Sequence, residues 1–280
     1  MRWVICALAM FVLAPRALAD DFDYIRGAEP VGPATFTRWS GVYLGGQFGI
    51  SAARADFSRA TQTPVGYALR ETTLEQTFAP SEWPVLATAT HSHDAFGGFI
   101  GYNSQWQDLI LSVEANYNQA SLGVSAPSFP ISRITPTDSS GNYYLVNING
   151  IGQLTDLDYG TLRGRAGYVL GNFLPYGFFG LALGRADIHV TTNVSGETNP
   201  PLNGGACLVT NTPPCSPFAF SATTGRDSQV LVGFTAGLGL EIALTQNLLM
   251  RAEYEYVQFA PVSGVLISVN SVHAGAGFKF

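Results

Sequence analysis

The feature that most restricts this chain is a repeated alternation of apolar and polar residues, with no block of 18 uninterrupted apolar residues anywhere past the N-terminus. A period of two is the period of a β-strand, and the missing block excludes a membrane-spanning helix in the mature chain. Eight segments carry the alternation, at about 40–52, 93–105, 109–121, 156–170, 175–193, 227–243, 247–259 and 268–280. Each exceeds the roughly ten residues that a tilted transmembrane strand needs. Composition agrees, because only 12% of residues are charged, against about a quarter in soluble domains. A chain that is apolar overall, yet not in long blocks, fits strands that divide lipid from a polar interior.

The connections alternate in length. Tight turns are predicted near 105–108, 171–175 and 245–247, and long loops over 53–92, 122–155 and 194–226, with a shorter one near 260–267. Short turns on one side and long loops on the other is the pattern of outer-membrane barrels, whose short turns are periplasmic. The faces read most clearly in the later strands. Val230, Val232, Phe234, Ala236, Leu238, Leu240 and Ile242 share one face, and Gln229, Gly233, Thr235, Gly237, Gly239 and Glu241 share the other, which is interrupted only by Leu231. Met250, Ala252, Tyr254 and Tyr256 oppose Arg251, Glu253 and Glu255, while Leu162, Gly164, Ala166, Tyr168 and Leu170 oppose Thr161, Arg163 and Arg165.

A soluble antiparallel sheet alternates too, with its apolar face turned inward. Three features favour the membrane. Residues 1–19 have the form of a signal peptide: Arg2 is the positive end, Trp3 to Ala14 the apolar stretch, and Ala17-Leu18-Ala19 the cleavage site. Trp39, Trp106, Phe173 and Phe280 map to the periplasmic rim, as an aromatic girdle would. The chain also ends on Phe280 after apolar residues at alternate positions. The expected organisation is a signal peptide over 1–19, a periplasmic linker over 20–38 and an eight-stranded antiparallel barrel over 39–280. Cleavage removes Arg2 and Arg16, leaving 12 basic against 20 acidic residues, a balance unlike that of a nucleic-acid-binding surface. Cys207 and Cys215 remain, and export through an oxidising compartment predicts a disulfide between them.

The terminal pattern Val272-x-Ala274-x-Ala276-x-Phe278-x-Phe280 resembles the signal read by the outer-membrane insertion machinery. The segment Trp39-Ser40-Gly41-Val42-Tyr43-Leu44-Gly45-Gly46, with Arg163-Gly164-Arg165-Ala166-Gly167-Tyr168, Pro175-Tyr176-Gly177 and Arg251-Ala252-Glu253-Tyr254-Glu255-Tyr256, is similar to a family. That family is the small opacity-type, porin-like outer-membrane proteins of alphaproteobacteria, including Brucella surface antigens and the RopB-like proteins of rhizobia. The resemblance implies an eight-stranded barrel in the outer membrane, with roles in envelope integrity and contact with a host. It carries no ligand reading onto the long loops.

Candidate chemistry is concentrated in the interior. Glu114, Arg163, Arg165, Arg185, Glu241, Arg251, Glu253, Glu255 and Lys279 are predicted to project into one lumen. Eight strands leave an interior that side chains just fill, and buried charges must pair. The expectation is a salt-bridged core, and the competing reading is a narrow ion-conducting pore. His91 and His93 share a strand face in an H-x-H spacing, but two ligands are too few for a metal or haem site. His189 with Asp187, or His273 with Ser271, are the nearest approach to a nucleophile–base set, and no motif supports either. No cofactor motif is present, and no enzyme is expected. The partners expected are outer-membrane lipids and, through Phe280, the insertion machinery; self-association and host surface factors stay open. The function expected is structural, with a diffusion channel and loop-mediated capture of a ligand such as haem as alternatives.

Overall fold

A computed structural model describes residues 38–202 and 205–280, apart from the side chains of residues 120–122 and 226. The expected signal peptide, and the expected linker up to residue 37, lie outside the described residues.

Nine strands form one antiparallel sheet: β1 (Gly41–Asp56), β2 (Thr88–Trp106), β3 (Leu109–Ser125), β4 (Ile131–Ile134), β5 (Tyr144–Tyr168), β6 (Phe173–Thr198), β7 (Ser216–Ala243), β8 (Leu248–Phe259) and β9 (Leu266–Lys279). Eight of them pair in a closed ring, because β1 bonds to both β2 and β9 while β3 bonds to β5. The sheet therefore holds nine strands rather than the expected eight. The ninth, β4, lies outside the ring and pairs with Leu145–Ile148 of β5. Closure gives the ring's backbone donors and acceptors a partner, which hydrocarbon cannot supply. The tight turns fall at 107–108, 169–172 and 244–247, beside the predicted positions. Gly171 supports one of them with a φ of 65°, a conformation that costs glycine little.

The outward faces of β3, β5, β7, β8 and β9 carry the residues predicted for lipid. Leu162, Val230, Leu238 and Val272 all point out, and their partners Thr161, Arg163, Thr235, Arg251 and Glu253 are buried. Two expectations are corrected. Arg185 is exposed and shares the outer face of β6 with Leu181 and Leu183. The sequence of β6 is apolar on both faces, with Leu174, Tyr176 and Phe178 inside and Phe173, Phe179 and Leu181 outside, so alternation does not identify its lipid side. Trp39 is only 1% exposed and packs inside the periplasmic end against Ile110, Leu174 and Tyr176, instead of joining the rim. Trp106, Phe173 and Phe280 are exposed at that rim.

β5, β6 and β7 have 25, 26 and 28 residues, more than twice what the bilayer requires. Extra residues enter the ladder at one level, between Ala120 and Gly123 on β3, between Thr155 and Asp158 on β5, and opposite Ala186–Ile188 on β7. Asp156 and Ser228 take positive φ there, at 48° and 56°. These bulges coincide with the ends predicted for three strands, near 121, 156 and 227. Beyond them, β5 to β7 continue as a projecting sheet that β4 extends. The loop after β1 folds back over this sheet through α1 (Gln62–Ala68) and α2 (Thr73–Phe78). The Thr72 hydroxyl caps α2 by accepting the Glu75 N–H at 3.2 Å, the usual role of an N-cap threonine. Val65, Leu69 and Leu74 bury against Val146, Ile148 and Val194, giving the projection a small core of its own.

Two expectations follow. Leu238 is 64% exposed on the lipid belt and Val209 is 74% exposed in an outer loop. Leu238→Arg should lower folding stability in vesicles by about 2–4 kcal/mol, while Val209→Arg should leave it unchanged; urea titrations of both variants measure this. At the turn between β4 and β5, the Asp138 carboxylate accepts the N–H groups of Asn142 at 2.9 Å and Ser140 at 2.8 Å and the Tyr144 hydroxyl at 2.9 Å. The Asn142 N–H, foremost, holds this carboxyl below the usual range. Its contribution is present above the unfolded value of about 3.9 and disappears as pH falls through the lower folded value. Amide chemical shifts of Ser140 and Asn142 should move in that acid window in the wild type and stay flat in Asp138→Ala.

Candidate functional site: the ion network inside the barrel

Glu114 stands at the centre of the interior because β3 alternates Leu111, Val113 and Ala115 toward lipid, which turns residue 114 inward. Three guanidinium groups converge on it. Arg163 donates from Nε at 2.9 Å and Nη2 at 2.5 Å, Arg165 from Nη1 at 2.6 Å and Arg251 from Nη1 at 2.9 Å. The Tyr43 hydroxyl donates to the same carboxylate at 2.7 Å. Arg163 also reaches Glu253 at 2.8 Å and Glu255 at 3.5 Å, and Arg165 reaches Glu241 at 2.6 Å. Arg251 completes the network to Glu253 at 3.3 Å. All of these charged side chains are essentially inaccessible to water.

Burying seven charges is costly unless each finds partners, and the interior supplies them. Thr235 donates to Glu255 at 2.9 Å and Tyr176 to Glu253 at 2.5 Å, while Gln47 accepts from Arg251 at 2.5 Å. Gln47 in turn donates to Asn116 at 3.0 Å and Asn118 at 2.6 Å. Aromatic faces cover the guanidinium planes: Phe178 lies 4.1 Å from Arg163, Tyr176 lies 3.9 Å from Arg165 and Phe99 lies 3.4 Å from Arg251. Such contacts favour a desolvated cation. Gly237 and Gly239 make the room, since a methyl group at either would collide with the Phe178 or Tyr176 ring. Three arginines face four glutamates, and His273 places Nε2 3.6 Å from Glu255.

Of the nine charges predicted for the lumen, seven meet here. Arg185 is outside the barrel, as above. Lys279 is buried at the periplasmic end beside Trp39 and Asn247, and makes no ion pair with the network. Alternation along β3 places Asn116 and Asn118 on the same side as Glu114, as found, whereas sequence reading missed Tyr43, Gln47, Phe99 and Tyr176. It also missed an apolar layer that fills the interior on the outer side of the charges. Leu157, Tyr159, Ile188, Leu231, Val257, Phe259, Ile267 and Val269 pack there without solvent access. The signal was present in Leu231 and in β9, where the apolar phase switches from Val272 and Ala274 to Ile267 and Val269.

The remaining candidates are scattered. His91 is exposed and His93 half-buried at the outer end of β2, opposite Ala53 and Ser51. His189 pairs with Asp227 at 2.9 Å rather than with Asp187, which accepts the Ser228 N–H instead. Ser271 exchanges a hydrogen bond with Ser51 at 2.7 Å. Cys207 and Cys215 are joined in a disulfide with a Cα separation of 5.2 Å. Among the described residues, the one cluster of three potential metal ligands is Glu197 with those two cysteines, whose sulfurs are bonded to each other. Val272, Ala274, Ala276, Phe278 and Phe280 all face outward along the end of β9.

A family model described as an outer membrane protein beta-barrel domain matches residues 5–280. The chain is 24% identical over 279 residues to the 25 kDa outer-membrane immunogenic protein of Brucella ovis, covering 99% of this chain and 96% of the relative. It is 28% identical over 195 residues to the 22 kDa outer membrane protein of Rhizobium leguminosarum bv. viciae, covering 66% of each. Among solved structures, the attachment invasion locus protein Ail of Yersinia pestis aligns at 13% identity with a TM-score of 0.36, over 86% of this chain and 99% of that one. Neisserial surface protein A aligns at 16% identity with a TM-score of 0.34, over 86% and 98%.

Replacing Glu114 by Gln leaves three buried guanidinium groups short of their shared carboxylate. Glu114→Gln should destabilise the barrel by about 3–5 kcal/mol, read as an earlier urea midpoint, while the exposed Glu71→Gln should leave the midpoint in place.

Proposed function

The chain belongs to the outer membrane protein beta-barrel domain family, and on that premise we propose that it is a non-conducting barrel that strengthens the outer membrane and presents its projection to contacts at the cell surface. The observation that carries this reading is the filled interior. From the periplasmic side, a solute would meet Trp39 with Leu174 and Tyr176, then the ion network, then the apolar layer around Leu157, Leu231 and Phe259. Each stage opposes passage differently. The first and third exclude water by packing, and the second ties its charges to one another instead of offering them to a passing ion. A diffusion channel needs a continuous wet path, so the porin alternative has less support than the structural one.

The reading is non-catalytic. Ser271 bonds to Ser51, and His189 engages an aspartate on the barrel's outside, so neither candidate pair has a base aimed at a nucleophile. We also read the outward residues Val272, Ala274, Ala276, Phe278 and Phe280 as the segment that the insertion machinery recognises. Lipids of the outer membrane are then the partners of the apolar belt, and the disulfide between Cys207 and Cys215 tethers a surface loop.

Refolded mature protein in a planar bilayer should give no steady single-channel openings, and cells lacking it should leak periplasmic markers. Salt-dependent openings of uniform size would replace this reading with the channel.

A further inference from the structure

The ion network leaves one inward cation without a counter-ion. Lys279 is the single lysine of the chain, beside 13 arginines, and it is only 8% exposed. Every glutamate of the network is already engaged by an arginine. Among the described residues, no carboxylate pairs with the Lys279 ammonium, and the charge that acts on it is another cation, the exposed Arg38. A buried ammonium without a partner is costly. Trp39 adds a second buried donor, because its indole Nε1–H has no acceptor. Its backbone is pinned on both sides, the N–H by the Gln105 side chain at 2.9 Å and the carbonyl by the Asn103 amide at 3.1 Å.

Lys279 and Trp39 line one cavity at the periplasmic end, with apolar walls from Ala243 and Leu249. Its polar neighbours are occupied elsewhere: the Thr245 hydroxyl accepts the Leu248 N–H at 2.9 Å, and the Asn247 amide donates to the Lys279 carbonyl at 2.7 Å. The volume is about 10 Å³, room for one water-sized group. Both free groups are donors that cannot accept. A water there would accept their hydrogen bonds and leave the charge uncompensated, whereas an anionic oxygen answers both needs.

We propose that this cavity binds one anionic oxygen of a phosphate group, held by Lys279 Nζ and Trp39 Nε1 with Arg38 beside them. The ammonium is a compact point charge, and a tetrahedral phosphate can present it a single oxygen while the other oxygens stay outside. A planar carboxylate is better matched by the bidentate fork of an arginine, and no arginine lines this cavity. A free phosphate ester and a phospholipid headgroup at the rim carry the same group, and the experiment separates them. The inference goes beyond the proposed function and does not rest on it.

The test uses the full mature protein refolded in maltoside micelles, which contain no phosphate. Isotopically labelled lysine gives a single side-chain signal, because the chain has one lysine. Inorganic phosphate should shift that signal saturably, with the Trp39 indole N–H moving at the same midpoint, and chloride at equal ionic strength should move neither. Trp39→Phe keeps an aromatic ring without the N–H and should weaken binding severalfold. Lys279→Gln should abolish the indole response. Arg38→Gln changes an exposed residue and should also weaken binding severalfold, so the test survives if the buried variants fail to fold. Glycerol phosphate and short-chain phosphatidylglycerol are then compared. A lower midpoint for the lipid assigns the site to a headgroup, and a midpoint no lower assigns it to free phosphate esters. Equal shifts with chloride, the absence of a saturable shift, or an indole response that persists in Lys279→Gln would overturn the proposal.

Discussion

A strand in hydrocarbon must find a partner for its backbone groups, and the pairing of β3 with β5 is what makes that possible for every strand of the ring. Without that contact the sheet would expose two edges to lipid, each lined with polar groups that nothing could satisfy. Once the ring closes, the rest follows in order. Eight strands enclose a narrow interior, the interior must be filled, and the inward residues are chosen to fill it. One central pair joins direct cross-strand neighbours, Glu114 opposite Arg163, while Glu241 stands opposite Arg251 and bonds instead to Arg165. The ion network therefore reports register as well as charge, since a slip of one residue would turn these side chains into lipid.

The interior is built in zones. Charges occupy the middle, where aromatic rings separate them from the periplasmic mouth, and aliphatic side chains occupy the outer end. The arrangement joins two kinds of specificity. Salt bridges are exacting about geometry and contribute little net stability when compared with good apolar packing. Apolar packing contributes stability and is less exacting. A barrel that carried only the first would be marginal, and one that carried only the second would have weakly determined register.

Much of the ring was legible in the alternation of the sequence, because lipid on one side and a polar interior on the other leave a two-residue period in β3, β5, β7, β8 and β9. The period failed where its physical cause was missing. On β6, Leu174, Tyr176 and Phe178 are inside and Phe179, Leu181 and Leu183 outside, so both faces are apolar and Arg185 was assigned to the wrong one. Toward the outer end of the ring the inward residues turn apolar: Val272 faces out on β9, whereas Ile267 and Val269 face in. Beyond the bulges, Phe218 and Phe220 alternate with Ala219 and Ser221 on β7, but the small residues Ala222, Thr223 and Thr224 that follow break the period. The ion network was legible as a set of inward charges, and Asn116 and Asn118 as inward neighbours of Glu114, but Gln47 and the hydrogen bonds that join them were not, because Gln and Asn on a strand look the same whether they meet water or an arginine.

The continuity of β5, β6 and β7 from the periplasmic turns to the tip of the projection has a mechanical side. These strands are not hinged to the barrel by a linker; they are the barrel, extended outward. A pull on the tip along the strand direction loads the β5–β6 and β6–β7 ladders in shear, so that many hydrogen bonds bear the force together and none is peeled alone. The bulges at the exit bend the strands without cutting them. An object held at the tip is thus held by the membrane-embedded wall itself, with the projection acting as a stiff lever.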